Sequence, residues 1–252
     1  CDDRDLAPSL LSIDEALSRI AAGAFAVEGS EAVSLGHARG RILAAPVHSG
    51  AMVPPFDNAA MDGYAVQTAT LTGAGPWHLQ VIARVTAGQR AGSDLTAATA
   101  TRIFTGAPIP TGADAVAMQE EVARQGDTIL LQRRPEPGLN IRRAGADMAE
   151  GARILDVGHR LGPRGIAACA AAGAGTIHVR PRLRVALIVT GDEVRPSGGG
   201  RSDAQIWDVN TPMLSALLAG SEVDLVQVGH AADDRAGLTR QLADLAATRN
   251  LI

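Results

Sequence analysis

The spacing of apolar residues changes along the chain, and its first part predicts a helix. Ser12 and Glu15 form a capping box, in which the Ser12 hydroxyl accepts a hydrogen bond from the Glu15 amide. Apolar residues then recur at helical spacing as far as Gly23, a residue typical of helix ends. The apolar run at 41–47 is typical of a strand. The chain is therefore predicted to open with a helix, a turn and a strand.

The pattern between residues 50 and 141 is different. Short apolar runs alternate with Gly, Pro, Asp and Thr, as in a sheet whose strands are joined by tight turns. This texture predicts a small β domain. Its predicted strands are 77–85, 101–105, 114–118 and 128–131.

After residue 160 the apolar runs lengthen and alternate with helical patterns. A helix at 162–172 and a strand at 176–179 precede an Arg-Pro-Arg linker at 180–182. Strands alternating with helices favour a wound parallel sheet. The elements after the linker are predicted as a strand at 183–190, a helix at 212–219, a strand at 223–229 and a helix at 235–248.

Acidic residues follow both strands of this last region. Asp192 and Glu193 come directly after the first strand, and Asp233 and Asp234 come shortly after the second, with Asp208 between them in sequence. If the strands are parallel, their carboxyl ends meet at one edge, where open α/β sheets bind ligands. Packing does not require clustered acids there, so the pattern indicates a binding site.

Charge and composition exclude several classes of protein. A net charge of −4 argues against binding nucleic acid by phosphate neutralisation. No apolar run approaches the roughly 20 residues of a membrane span, and no signal peptide is visible. The chain has no Lys, which excludes Schiff-base chemistry, and its single His residues lack zinc-ligand spacing.

Two cysteines, Cys1 and Cys169, fit a reducing cytoplasm, with Cys169 predicted as a buried helix residue.

Three further segments hold candidate functional residues, and each also has a purely structural explanation. Asp62 lies in PPFDNAAMDGYAV, where Asp-Gly is typical of turns. Thr105 opens TGAPIP at a predicted strand end. Arg142 and Arg143 precede Asp147 in NIRRAGAD; arginine forks suit oxyanions, but surface Arg–Asp pairs are usually solvated.

Taken together, the segments resemble one family. PPFDNAAMDGYAV, TGAPIPTGADAVAMQEE, NIRRAGAD, RVALIVTGDEV and QIWDVN occur in the order and approximate spacing of the molybdopterin molybdenumtransferases, which include MoeA and the E domain of gephyrin. The resemblance implies insertion of molybdate into adenylylated molybdopterin, with release of AMP and assistance by Mg²⁺. It further implies a cytoplasmic homodimer that meets other maturation proteins of the molybdenum cofactor, with no nucleic-acid or membrane partner.

The resemblance also implies a multidomain fold that combines α/β and β parts. A small discontinuous α/β domain (8–48 and 142–178) is expected to hold an inserted β domain (49–141). A wound parallel α/β domain of the molybdopterin-binding type is expected from 180 to 252, cut short because the helical pattern ends where another buried strand should begin. The first residue is Cys rather than Met, so we expect the natural protein to be longer.

Site residues follow from the resemblance position by position. Those expected to act in catalysis are Asp62, Thr105, Asp147, Glu193 and Asp233. Because both substrates are anions, carboxylates need a hard cation between them and the phosphate, and Glu193 and Asp233 are the predicted Mg²⁺ ligands. The predicted cofactor-binding positions are Gly191, Asp192, Asp208, Asn210, Arg142 and Arg143. In the family the β-domain residues complete the site of the partner subunit.

The chain departs from the family pattern at three points. Ala146 stands where the family usually has Glu, and neither the glycine-rich pterin loop nor the Pro/Gly-rich last domain occurs within 252 residues. This stretch alone is therefore expected to bind pterin weakly. Two alternatives to the enzyme are a molybdopterin-binding or scaffold module without turnover and an inactive truncated remnant.

Overall fold

The computed structural model describes residues 11–24, 26–89, 92 and 94–252, which form two compact units. One unit comprises the described residues up to Ala45 together with Val157–Gly162 and His178–Ile252. The other comprises Pro46–Asp156 and Pro163–Ile177. The three-domain division expected from the sequence stays a prediction.

Four helices occur close to the predicted positions. Ser12 Oγ accepts a hydrogen bond from Glu15 N at 3.2 Å, as predicted, whereas the Glu15 carboxylate pairs with Arg19 instead of the Ser12 amide. Asp234 caps the last helix by accepting hydrogen bonds from two backbone amides. The helices are α1 (Ile13–Gly23), α2 (Pro163–Ala171), α3 (Asn210–Leu217) and α4 (Arg235–Ala246).

Sixteen strands, many of them short, make up the sheets of the described residues. The predicted strands at 77–85, 128–131, 176–179 and 183–190 have the bounds expected from their apolar patterns. In chain order the strands are β1 (Glu31–Ser34), β2 (Val47–His48), β3 (Asn58–Ala59), β4 (Gly63–Val66), β5 (Trp77–Val85), β6 (Thr99–Ile103), β7 (Ala115–Met118), β8 (Val122–Gln125), β9 (Thr128–Leu131), β10 (Ile141–Arg142), β11 (Arg153–Leu155), β12 (Thr176–Val179), β13 (Leu183–Thr190), β14 (Val194–Arg195), β15 (Ile206–Trp207) and β16 (Val223–Ala231).

The predicted β region is a six-stranded sheet in the order β7-β4-β6-β5-β9-β8. Only β5 and β6 pair in parallel; the other neighbours are antiparallel. All four residues of β4 are buried, because both faces of the sheet are covered. Alternate side chains enter two cores built largely from Ala, Val, Leu and Ile. One holds Tyr64, Val66, Leu71, Leu79, Ala100, Ala115, Ala117, Ile129 and Leu131, and the other holds Ala59, Ala65, Val85, Ile103, Ala107 and Val116.

The two long apolar runs of the last region pair as parallel strands, which confirms the prediction. β13 and β16 are paired from Leu183↔Val223 to Thr190↔Ala231, and the register shifts by one residue after Val185. On the other side of β13, Leu251 forms a parallel bridge to Val185, where the sequence predicted the next strand of the sheet. Because Thr190 and Ala231 are paired, the loops that follow them start side by side.

The segment 41–47 is not the continuous strand that its apolar pattern predicted. Ile42 and Leu43 form single bridges to Arg160 and Val179, and strand pairing resumes only at β2, which pairs with β11. Pro46 lacks the N–H that a ladder requires, which explains the break. Leu43 is nonetheless fully buried.

Cys169 lies on α2 as a buried free thiol, which confirms its predicted environment. Burial raises the pKa of this thiol, so it stays protonated and unreactive at neutral pH. Cys1 lies outside the described residues. Among the described residues, no helix has the length and apolar character needed to cross a bilayer.

We predict that Ile129→Ala destabilises the protein by about 2–5 kcal/mol, because the side chain is fully buried in the sheet core and its loss leaves a cavity. Ile82→Ala is the matched control, since Ile82 lies on β5 of the same sheet but is 39% exposed. The control should cost about 1 kcal/mol or less. Urea unfolding measures both, and equal losses would contradict this assignment of the core.

Candidate functional site

Asp62 and Thr105 meet at one end of the six-stranded sheet. Asp62 immediately precedes β4 and Thr105 follows β6; the pairing of Gly63 with Ile103 brings the two strand ends together. Asp62 Oδ1 accepts hydrogen bonds from the Thr105 amide at 2.8 Å and from Thr105 Oγ1 at 2.7 Å. Two segments that the sequence singled out separately therefore form one polar pair.

This pair presents hydrogen-bond acceptors to its surroundings. The Thr105 backbone amide, then the Thr105 hydroxyl, lower the pKa of Asp62, and the charge of Arg102 adds to the effect against desolvation. Because the hydroxyl proton is committed to the carboxylate, Thr105 Oγ1 offers only lone pairs outward. The geometry therefore suits a water molecule or another hydrogen-bond donor better than a phosphate oxygen.

The paired arginines of NIRRAGAD each have an acidic partner. Arg142 Nη2 lies 2.6 Å from Asp147 Oδ2, and Arg143 Nη1 lies 2.6 Å from Asp57 Oδ2. The Ala144 amide also donates to Asp57 Oδ1, and this bond, followed by that from Arg143, lowers the pKa of Asp57. All four side chains are more than a third exposed, so the two ion pairs contribute little to stability.

The predicted acidic edge forms where β13 and β16 end. Asp233 N donates to Asp192 Oδ1 at 3.3 Å, so the loop after each strand contacts the other. His230 Nε2 lies 2.7 Å from the Gly191 carbonyl oxygen and forms a second link. These two bonds join the loops at the ends of the parallel strands, and we name residues Gly191–Glu193 and His230–Asp233 the acidic rim.

Gly191 is required by the shape of the acidic rim. Its φ of +129° is a conformation that other residues rarely adopt, and a Cβ there would lie 2.9 Å from Glu193 Oε2 and from Val194 Cγ2. The Glu193 carboxylate therefore folds over the Gly191 backbone. The Glu193 carbonyl also accepts the Ile206 amide at 2.9 Å, which anchors this loop to the start of β15.

Asp208 and Asn210 connect β15 to α3. Asp208 Oδ1 accepts the Thr211 amide at 2.9 Å, so Asp208 holds the first turn of the helix that Asn210 opens. The Thr211 hydroxyl and then its amide lower the pKa of Asp208 against desolvation, and the charge of His230 makes a smaller contribution. The bond to the Thr211 amide is a sufficient structural reason for Asp208, while Asn210 is exposed at the start of α3.

The donor set of the acidic rim can be compared with what Mg²⁺ requires. Within the described ranges, no three His, Cys, Asp or Glu side chains are grouped as a metal cage. Mg²⁺ usually keeps several waters and binds through one or two carboxylates plus substrate phosphates. Glu193 and Asp233, exposed at neighbouring strand ends, supply hard oxygen donors of that kind.

Three residues near these groups had no role assigned from the sequence. Asp57 lies in the quoted PPFDN segment, yet its partner Arg143 is 86 positions away. His230 lies at the end of the apolar run that precedes Asp233, and this position could have identified it as a candidate from the sequence. Arg102 is an Arg within a strand pattern and carries no motif of its own.

Residues 11–173 match the MoeA N-terminal region, domains I and II, and the chain belongs to the MoeA family. Molybdopterin molybdenumtransferase 2 of Mycobacterium tuberculosis H37Rv is 37% identical over 205 residues, which cover 80% of this chain and 51% of that protein. The molybdopterin molybdenumtransferase of Haemophilus influenzae is 34% identical over 228 residues, 90% of this chain and 56% of that protein. The chain thus spans about half the length of the curated relatives it matches.

Solved structures show the same fold. The crystal structure of the molybdopterin biosynthesis MoeA protein from Pyrococcus horikoshii OT3 matches with a TM-score of 0.82 at 34% identity, over 89% of this chain and 61% of that chain. A second crystal structure of a Pyrococcus horikoshii MoeA protein matches with a TM-score of 0.79 over 96% of this chain and 62% of that chain. The expected multidomain α/β and β fold of the MoeA type is therefore confirmed.

We predict that Thr105→Val raises the pKa of Asp62, because the hydroxyl donor is lost while the backbone donor remains. The pKa should move toward, but not reach, the ordinary value of a free Asp. Carboxyl-detected NMR titration measures it. Thr111→Val removes an exposed hydroxyl elsewhere in the same unit and should leave Asp62 unchanged. An unshifted Asp62 in Thr105→Val would refute the assignment of this bond.

Proposed function

We propose that the protein containing this chain is a molybdopterin molybdenumtransferase, which inserts molybdate into adenylylated molybdopterin with release of AMP. Membership of the MoeA family and relatives of that name support the activity. The observation that carries the proposal is the acidic rim, where the Asp233 amide donates to the Asp192 carboxylate and the side chains of Glu193 and Asp233 lie exposed. A binding or scaffold module without turnover has no need for this carboxylate set.

In this proposal Glu193 and Asp233 are the residues that would hold a Mg²⁺ ion. When bound, the ion would supply Lewis acidity and neutralise phosphate charge. The Gly191 backbone and the bond from the Asp233 amide to the Asp192 carboxylate fix the two loops, so that the backbone segments that carry Glu193 and Asp233 are positioned before substrate binds. Asp208 and Asn210 extend the same edge with further oxygen and amide groups.

The residues of the β region act by orientation. Asp62 and Thr105 hold a water molecule or another donor, because they present acceptors. Arg142 and Arg143 offset oxyanion charge by exchanging their exposed carboxylate partners for substrate oxygens, which costs little because such pairs are weak. Asp147 holds Arg142 until that exchange occurs.

We propose that the protein is a cytoplasmic homodimer in which these β-region residues complete the acidic rim of the partner subunit. Helix α1 supports an association surface: no residue of it is buried, and Ile13, Leu17 and Ile20 form an exposed apolar stripe at helical spacing. Contacts with other maturation proteins of the molybdenum cofactor belong to the same proposal.

We predict that Glu193→Gln, in the protein made from its complete reading frame, lowers the rate of Mg²⁺-dependent AMP release at least about 100-fold, because an amide replaces an anionic metal ligand. AMP release from adenylylated molybdopterin in the presence of molybdate measures this. Glu28→Gln makes the same change at an exposed position and should retain full activity. Wild-type turnover in Glu193→Gln would show that Glu193 is not a metal ligand.

The shared-site arrangement predicts complementation between two inactive variants. When Asp62→Ala and Glu193→Gln subunits are mixed, half of the dimers are mixed and one of their two sites is intact, so about a quarter of wild-type activity should return. AMP release after co-refolding or subunit exchange measures the recovery. If each site lay within one subunit, the mixture would stay inactive.

A further inference from the structure

Two arginines share one aromatic ring beside the Asp62–Thr105 pair. Arg84 on β5 and Arg102 on β6 are register partners in the parallel strand pair. The guanidinium carbon of Arg84 lies 4.7 Å from the centre of the Phe104 ring, and that of Arg102 lies 4.6 Å from it. The three side chains form what we name the arginine stack, in which cation–π contact holds the guanidinium groups against the ring.

The two arginines differ in what else they bind. Arg102 is half-buried; it donates to the Gly63 carbonyl at 3.0 Å and to the Gln119 side chain, and it also lies over the Tyr64 ring. Arg84 is exposed and makes no hydrogen bond or ion pair with any residue that the structure describes. The stack therefore contains one arginine fixed by the sheet and one whose donors remain open.

The arginine stack adjoins the candidate site. Phe104 immediately precedes Thr105, and the charge of Arg102 is close enough to help lower the pKa of Asp62. Asp62 already accepts two hydrogen bonds from Thr105, so it is engaged by that residue. The Glu120 carboxylate is also linked to Arg102 through the Gln119 side chain, so Arg84 carries the positive charge of the stack that no described carboxylate engages.

We infer that Arg84, supported by Arg102 and Phe104, binds a tetrahedral oxyanion. A guanidinium presents a planar fork that fits two oxygens of such an anion, and stacking on a ring leaves the donor edge of the fork outward. Ring contact also restricts the long side chain in advance, which lowers the entropy lost on binding. The inference rests on the proposed function only for the source of the anion, which is either molybdate or the phosphate groups of the adenylylated substrate.

The inference differs from a purely structural role for Arg84. If the side chain served only to cover Phe104, an apolar replacement of similar length would do so equally well. Arg84→Met keeps this cover and removes the charge and the donors. The matched control is Arg124→Met on the edge strand β8, where the Arg124 side chain donates to the Gly126 carbonyl at 2.9 Å.

The test is calorimetric titration of the protein and both variants with inorganic pyrophosphate and, separately, with sodium molybdate. We expect Arg84→Met to weaken binding of at least one anion about tenfold or more, since hydrogen bonds to a charged group are lost. Arg124→Met should bind as the unaltered protein does. The anion whose binding weakens identifies the source, and Arg84→Gln, measured in parallel, makes the result independent of how Met packs.

Three results would overturn the inference: neither anion binds the unaltered protein, Arg84→Met binds both as tightly as before, or Arg124→Met weakens binding by the same factor. Thermal melting of each variant verifies that the sheet is folded. Because the titration requires no turnover, its outcome is separate from the AMP-release assay of the proposed function.

Discussion

The parallel pairing of β13 with β16 is the constraint on which the acidic rim depends. The two strands stay paired up to Thr190 and Ala231, so the chain leaves both at the same level of the sheet. The contact between Asp192 and Asp233 and that between His230 and Gly191 follow from this shared level. A further shift of register by one residue beyond Ala186 would displace the two loops by about 3.3 Å along the strands and break these contacts.

In the β region, charged side chains are also held by specific contacts, although other elements supply them. The three acids of the candidate site in that region are each engaged by a donor: Asp62 by Thr105, Asp57 by Arg143 and Asp147 by Arg142. Exposed pairs of this kind contribute little to stability. Their effect is to hold polar groups in defined directions while leaving them exchangeable, a property suited to anionic substrates.

The sequence predicted the long elements well because their apolar periods are strong. The bounds of β5, β9, β12 and β13 agree with the predicted runs, and the parallel pair follows from strands alternating with helices. The sequence could not predict contacts between residues far apart in the chain, such as the ion pair of Asp57 with Arg143. Either Arg142 or Arg143 could have paired with Asp57. The continuous strand predicted at 41–47 was wrong, because the prediction followed the apolar run and gave too little weight to Pro46, which has no amide hydrogen.

Gly191, which begins the loop after β13, limits which substitutions this edge of the sheet can accept. Glycine often signals freedom of movement, yet here Gly191 holds a φ of +129°, a backbone conformation that other residues rarely adopt. A replacement at position 191 would therefore strain the backbone even if the flexible Glu193 side chain moved aside. In a mutational survey, replacing the exposed acids beside it should change the activity of the protein alone. Replacing Gly191 would also alter the path of the backbone.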